Sequence, residues 1–384
     1  MNFDFDDEQD AFRAVVRSFA AAEVAPNAEA WDRDHIFPLD AVRAMGELGL
    51  FGLVFPEAYG GSAAPFSTLC IAIEEIGRAD QSLGITLSAG VGLGANPIFT
   101  FGSEDQRQRW LPDLVAGRAL GAFGLTEPDG GSDAGATRTK ATLDEGTGEW
   151  VIEGAKAFIT NSGTAITSLV TVTARTGQGE ISALVVPAGT PGLVVEPAYR
   201  KLGWHASDTH GLVLEGCRVP ADHLLGAAGS GFRNFLAILD DGRVAISALA
   251  VGAAQACLDH ALEYAKSRNA FGGPIGRYQA VSFALADLAV AVENARLLTY
   301  KAAYLKDQGR PFGQAAAIAK LYSTEAAVDA ARTATQVFGG YGFMEESPVA
   351  RIYRDVKVLE IGEGTSEIQR LVIARGLGLP VTTS

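Results

Sequence analysis

The runs WVIEG (150–154), SLVTVTAR (168–175), ISALVVP (181–187), GLVVEP (192–197) and GLVLEGCRVP (211–220) decide the fold. Each is short, rich in β-branched residues and in places alternates apolar with polar positions. Turn residues separate them and no helical pattern stands between them. The spacing predicts antiparallel strands and disfavours a doubly wound parallel sheet, which needs helices between its strands. We expect a small β-domain over residues 121–230. Gly226, Gly229 and Gly231 near its end lack the G-x-G-x-x-G spacing of a dinucleotide fold.

The periodicity changes on both sides of this region. Over 1–120, Phe12, Val15, Val16 and Phe19 repeat at helical spacing behind an acidic first turn, and Pro26 closes the segment. Leu39, Val42, Met45 and Leu48 predict a second helix ended by Gly49. Residues 66–79 predict a third, with Gly77 marking its end. Gly84, Gly90, Gly92 and Gly94 weaken a helix over the next stretch and suggest close packing with a cavity beside it. Over 231–384, long Ala-rich 3.6-period segments predict an antiparallel helical bundle. The fold class is therefore mainly α with a central β-domain.

Composition narrows the function. The chain has 384 residues, 48% hydrophobic and 20% charged, as expected of a globular protein of two or three domains. A net charge of −14 argues against nucleic-acid binding, which needs clustered Lys and Arg. We expect no apolar run long enough to span a bilayer. The acidic N-terminus lacks a signal core, so a cytoplasmic protein is expected. Cys70, Cys217 and Cys257 are sparse and odd in number, which fits reduced thiols.

One acidic residue stands out. In IGEGTSEIQR (361–370), Glu363 lies between Gly362 and Gly364, where another molecule can approach the backbone. Thr365 and Ser366 can cap a helix there, with Glu367 in its first turn and Gln369 three residues after Ser366. A carboxylate on a glycine hinge before a helix N-terminus suits a base acting on a bound ligand; a solvated surface turn fits the same residues. The five histidines show no metal spacing and no C-x-x-C occurs, so no metal site is expected. Gly131-Ser132-Asp133-Ala134-Gly135 misses the G-x-S-x-G serine motif by one place.

Six stretches together resemble the acyl-CoA dehydrogenase family: GLTEPDGGSDA (124–134), AFITN (157–161), LDDGR (239–243), RNAFGGPIGRYQA (268–280), QVFGGYGF (336–343) and IGEGTSEIQR. Their order and spacing match the family over nearly the whole chain. The resemblance implies an N-terminal helical domain, a small antiparallel β-domain and a C-terminal four-helix bundle. It implies FAD as cofactor and oxidation of the Cα–Cβ bond of an acyl-CoA. A carboxylate takes the α-proton, hydride leaves the β-carbon for the flavin, and donors to the thioester carbonyl stabilise enolate-like charge.

By the same resemblance Glu363 matches the base, Gly364 lies against substrate, and Thr365, Ser366 and Glu367 lie against the cofactor. Some relatives carry the base at the position of Gly242, where glycine cannot serve. Phe123, Leu125, Thr126 and Ser132 would contact flavin, Ser132 also substrate, and Phe158, Ile159 and Thr160 would lie beside the ring system where Trp-Ile-Thr is usual. Asp240 and Arg243 match substrate-side positions, with an ordinary helix ion pair as the alternative. Arg268, Phe271, Gln279, Gln336, Gly339 and Gly340 match residues that hold a neighbouring subunit's FAD, which implies a homo-oligomer, commonly a tetramer. An electron-transfer flavoprotein is the implied acceptor. Short- and medium-chain members usually have tyrosine where this chain has Gly362, so a branched, cyclic, aryl or longer acyl group is expected. Carrier-protein thioesters, and oxidase or monooxygenase activity of the same fold, stay open as alternatives; Glu363 argues against a monooxygenase, which lacks the base.

Overall fold

The computed structural model describes residues 4–382; positions 1–3 and 383–384 of the expected outer domains lie outside it. Helix α1 (Asp7–Phe19) starts with a capping box in which Asp6 accepts from the Gln9 N–H at 2.8 Å. Phe12, Val16 and Phe19 pack on the core, but Val15 is 51% exposed, so the apolar stripe is narrower than its spacing predicts. A π-helical turn, Ala20–Val24, carries the chain to Pro26. The other helices of this part are α2 (Ala28–Asp34), α3 (Leu39–Glu47), α4 (Phe66–Ala79), α5 (Gln81–Ala89), α6 (Asn96–Phe101) and α7 (Glu104–Val115).

Three expectations fail in this part. Gly77 does not end α4; it and Gly84 leave room for the Leu249 side chain, which stands where their Cβ atoms would be. The glycine-rich stretch is helical after all, with α5 and α6 joined by a π-helical turn, Gly90–Ala95. The continuous run Gln81–Phe101, of mean hydropathy 1.2, is long and apolar enough to cross a membrane, contrary to expectation. It is mostly buried in this protein, because its small residues let Leu249, Phe51 and Gly121 approach closely.

The sheet comprises β1 (Leu120–Gly124), β2 (Lys140–Asp144), β3 (Glu149–Thr160), β4 (Thr167–Gly177), β5 (Glu180–Pro187), β6 (Leu193–Val195), β7 (Thr209–Pro220) and β8 (Leu224–Leu225). Its order is β6-β7-β3-β2-β4-β5-β8, with β1 beside β4. Pairing is mostly antiparallel, but β1 runs parallel to β4, and β2 meets β4 in parallel at Lys140–Arg175. Period-two alternation feeds two cores. Val170, Val172, Leu184 and Val186 fill the interior of the β-domain, whereas Leu169, Ala183 and Val185 join the helical core. The sheet is thereby docked on the helices by its own alternation.

Helix α8 (Gly231–Ser267) leaves the sheet, followed by a two-strand ribbon, β9 (Asn269–Ala270) and β10 (Gly273–Pro274). Then come α9 (Gln279–Asp307), α10 (Gly313–Phe338), α11 (Pro348–Val356) and α12 (Ser366–Gly376). Helices α8, α9 and α10 pack on one another, and α12 lies on α10. Their contact faces are largely alanine, for example Ala316, Ala319, Ala327, Ala330 and Ala334 on α10, so the helix axes come close.

Candidate active site

Glu363 sits in a loop between a 3₁₀ turn, Lys357–Glu360, and α12. The N–H groups of Ile361 and Gly362 donate to the Val358 carbonyl at 2.9 and 2.8 Å. Glu363 then adopts φ +53° and Gly364 φ +90°, two left-handed residues in succession. A glutamate held in that region stores strain, which is typical of functional sites. The turn throws its side chain against α8 at Gly242: a Cβ added to Gly242 would stand 2.6 Å from Glu363 Oε2. That oxygen is buried with no hydrogen-bond partner among the described residues, although Glu363 as a whole is only half-buried. Burial raises the Glu363 pKa above the usual carboxylate range, and the positive charges of Lys320 and Arg243 act against the rise.

The helix start differs from the expected pattern. Thr365 alone is the cap, its hydroxyl accepting from the Ile368 N–H at 3.3 Å. Ser366 is already in α12 and its hydroxyl is buried without a partner among the described residues. Gln369 does not complete a capping box; its amide donates to the carbonyls of Gly364 at 2.9 Å and Glu363 at 3.3 Å. Glu367 is exposed.

The 239–243 turn of α8 gathers the other motifs. The Phe123 ring stacks on Phe235 of α8 at 5.3 Å, with Leu93, Leu125, Ile238 and Leu239 around them. Asp240 and Arg243 form the ordinary i, i+3 ion pair at 2.5 Å, leaving the buried Arg243 Nε without a partner among the described residues. The Ala157 N–H donates to the Thr126 carbonyl at 2.8 Å, so residues 123–126 and 157–160 lie side by side. A register shift in β3 between Lys156 and Ile159 puts Phe158 at φ +62° with its ring 65% exposed and against Tyr199. The Ile159 side chain points into the β-domain core, so only its backbone faces out of the sheet there, and the Phe123 ring stacks on Phe235. Thr160 is half-buried and Ser132 lies exposed in the following loop.

Arg268, Phe271, Gln279, Gln336, Gly339 and Gly340 are all exposed and lie elsewhere. Arg268 stands over the Tyr341 ring at 5.6 Å, and a Cβ on Gly339 or Gly340 would meet nothing within 4 Å. This group caps the end of α8 opposite Gly242, roughly 39 Å away at ~1.5 Å rise per residue. One chain thus holds the Glu363 group and the Arg268 group apart. The two groups fit parts of one FAD only if it spans two chains. The exposed Phe158 ring, the open Gly339-Gly340 surface and the unpaired Ser366 Oγ and Arg243 Nε suit a planar, polar-edged ligand with a charged tail.

Sequence reading missed the supports. Lys320, fully buried on α10, donates to the Gly364 carbonyl at 2.8 Å. Its signal was a lysine on the apolar register of Ala316, Ala319, Ser323 and Ala327. Lys156, also buried, pairs with Glu127 at 2.7 Å. Glu127 in turn accepts from the N–H groups of Arg138 at 2.6 Å and Thr139 at 3.0 Å, pinning the loop that carries Ser132. Burial lowers Lys156 to about 8.

Family models for the N-terminal, middle and C-terminal domains of acyl-CoA dehydrogenase match residues 6–118, 122–217 and 229–378. A probable acyl-CoA dehydrogenase of Bacillus subtilis, YngJ, is 51% identical over 98% of this chain and 100% of its own. The mouse mitochondrial short-chain specific acyl-CoA dehydrogenase is 47% identical over 94% of this chain and 88% of its own. The solved butyryl-CoA dehydrogenase of Megasphaera elsdenii superposes with a TM-score of 0.95 at 40% identity, covering 98% of this chain and 100% of that one. Further solved relatives hold FAD or FADH2.

Proposed function

Because the chain belongs to the acyl-CoA dehydrogenase family, with FAD as its cofactor, we propose that it desaturates an acyl-CoA between Cα and Cβ with Glu363 as the base. The observation that carries this reading is the Glu363 carboxylate: aimed by a left-handed backbone, enclosed beside Gly242, and unpaired at Oε2. A buried carboxylate of raised pKa is a stronger base than one in water, provided it is ionised when substrate arrives. Lys320 and Arg243 favour that ionised state. When bound, FAD supplies the two-electron acceptor for the β-hydride. Glu363 takes the α-proton, and the carbon–carbon double bond forms from the electron pair left behind. Phe158 supports an apolar face, Thr126 and Ser366 supply polar contacts, and the Arg268 group serves the site of a second chain. Electrons then pass to an electron-transfer flavoprotein.

Two finer readings follow. At Gly362 an added Cβ would meet only the Val358 carbonyl, at 3.5 Å, so a side chain there starts into open space. This supports an acyl group with bulk near Cα and Cβ. For assembly, Phe283, Val290, Leu297 and Tyr304 recur every seven residues on α9 and are each at least 40% exposed. We read this row as the seam of an antiparallel pair of α9 helices from two chains. Centred between Glu293 and Asn294, such a pair puts Phe283 on Tyr304, Val290 on Leu297 and Lys301 beside Asp287 of a second copy.

The test of the base is Glu363→Gln, which keeps shape and removes the proton acceptor. FAD content and acyl-CoA binding should be unchanged, with anaerobic flavin reduction slower by ~10²-fold or more. Near-normal reduction by this variant sinks the assignment.

A further inference from the structure

We propose that Lys320 is a positioning residue for the base: its ammonium clamps the Gly364 carbonyl, fixes the left-handed loop that aims Glu363, and supplies the positive charge that the carboxylate faces. The proposal rests on Glu363 being the base. Lys320 is fully buried in the middle of α10, among Ala316, Ala317, Ala319 and Ser323. A buried ammonium is costly unless compensated. Among the described residues no carboxylate lies within ion-pair distance of it, and its hydrogen bond goes to the Gly364 carbonyl at 2.8 Å. That carbonyl also accepts from Gln369 at 2.9 Å, and Gln369 reaches the Glu363 carbonyl at 3.3 Å. Two donors thus close on the two left-handed residues, Glu363 and Gly364.

The surrounding charges single out Glu363. Arg243 of α8 is tied to Asp240, Glu360 of the preceding turn to Lys357, and Glu325 of α10 to Arg370. Glu363 alone of the acidic groups acting on Lys320 has no cation of its own within ion-pair distance among the described residues. Burial pushes Lys320 down to about 8 and Glu363 up, and each charge offsets the other's shift.

The test compares Lys320→Met with Gln369→Leu and Glu363→Gln in the FAD-loaded enzyme. Two readouts are used: the pH profile of anaerobic flavin reduction, and hydrogen exchange of residues 361–365. Without the ammonium, Glu363 stays protonated to higher pH, so the acid limb of Lys320→Met should move up by about 1 pH unit. Exchange in the loop should quicken roughly fivefold for the loss of one hydrogen bond. Gln369→Leu should quicken exchange without moving the limb, because it removes a donor but no charge. An unmoved acid limb with unchanged exchange in Lys320→Met overturns the proposal. Should that variant not fold, Lys320→Gln, which keeps a donor and loses the charge, decides: its acid limb should move up while its loop exchange stays near that of the wild type, and an unmoved limb overturns the proposal. Glu363→Gln separates the readings. Its retained activity defeats the base assignment; its inactivity beside an unaltered Lys320→Met defeats the clamp alone.

Discussion

Gly362 is extended or right-handed rather than left-handed, so a side chain there strains no backbone. Gly362→Tyr should therefore fill the open space without distorting the Glu363 loop. Overpacking a fitted site costs ~1–3 kcal/mol, so kcat/KM for a branched or aryl acyl-CoA should fall roughly tenfold relative to butyryl-CoA. An unchanged ratio, or a wild type that strongly prefers butyryl-CoA, refutes the enlarged pocket. At this scale Glu363 was legible because a carboxylate between two glycines before a helix start is a chemical pattern. Its left-handed backbone was not, because residue type does not fix φ when tertiary hydrogen bonds from Lys320 and Gln369 hold it. Lys320 was hidden for a related reason. Its neighbours on α10, Ala316, Ala317, Ala319 and Ser323, are small, which marks close packing but says nothing of what a long side chain reaches on another element. The bulge at Phe158 was not legible either; it re-aims one residue, and alternation then returns Ile159 to the core.

Helix α9 makes its prediction as an element. Leu297→Asp puts a charge at the centre of the proposed seam, 40% exposed in the single chain and therefore tolerated by its fold. Sedimentation should show a smaller particle at unchanged helicity, and FAD should be lost on dilution. An assembly unaffected by the substitution removes α9 from the interface. Elements with a strong period were legible: β3 to β7 from alternation, and α8 to α10 from length. Strand β1, Leu-Gly-Ala-Phe-Gly, was not, because all five positions are buried and small residues carry no period. The Gln81–Phe101 run failed in the opposite sense, since its glycines lower helix propensity but permit the close packing that makes it a core helix.

For the whole molecule, the order of helices, strands and helices was readable because periodicity changes twice along the chain. How far apart those helices hold the Glu363 and Arg268 groups was not, because that depends on distance through space. Helix α8 keeps the Glu363 group and the Arg268 group at opposite ends; under the proposed assembly, a subunit would give its base to one site and its cofactor grip to another. Two defects in different subunits can then cancel. Arg268→Ala should loosen FAD by removing a charge-assisted contact, and Glu363→Gln should stop proton transfer. Unfolded together and refolded as a mixture, the two inactive chains should form hybrids in which one site collects both lesions and the other collects none. Random pairing restores about a quarter of wild-type turnover per subunit. Restoration at that level makes the pair, rather than the chain, the unit of catalysis; a mixture as inactive as its parents places every working part of the site in one chain.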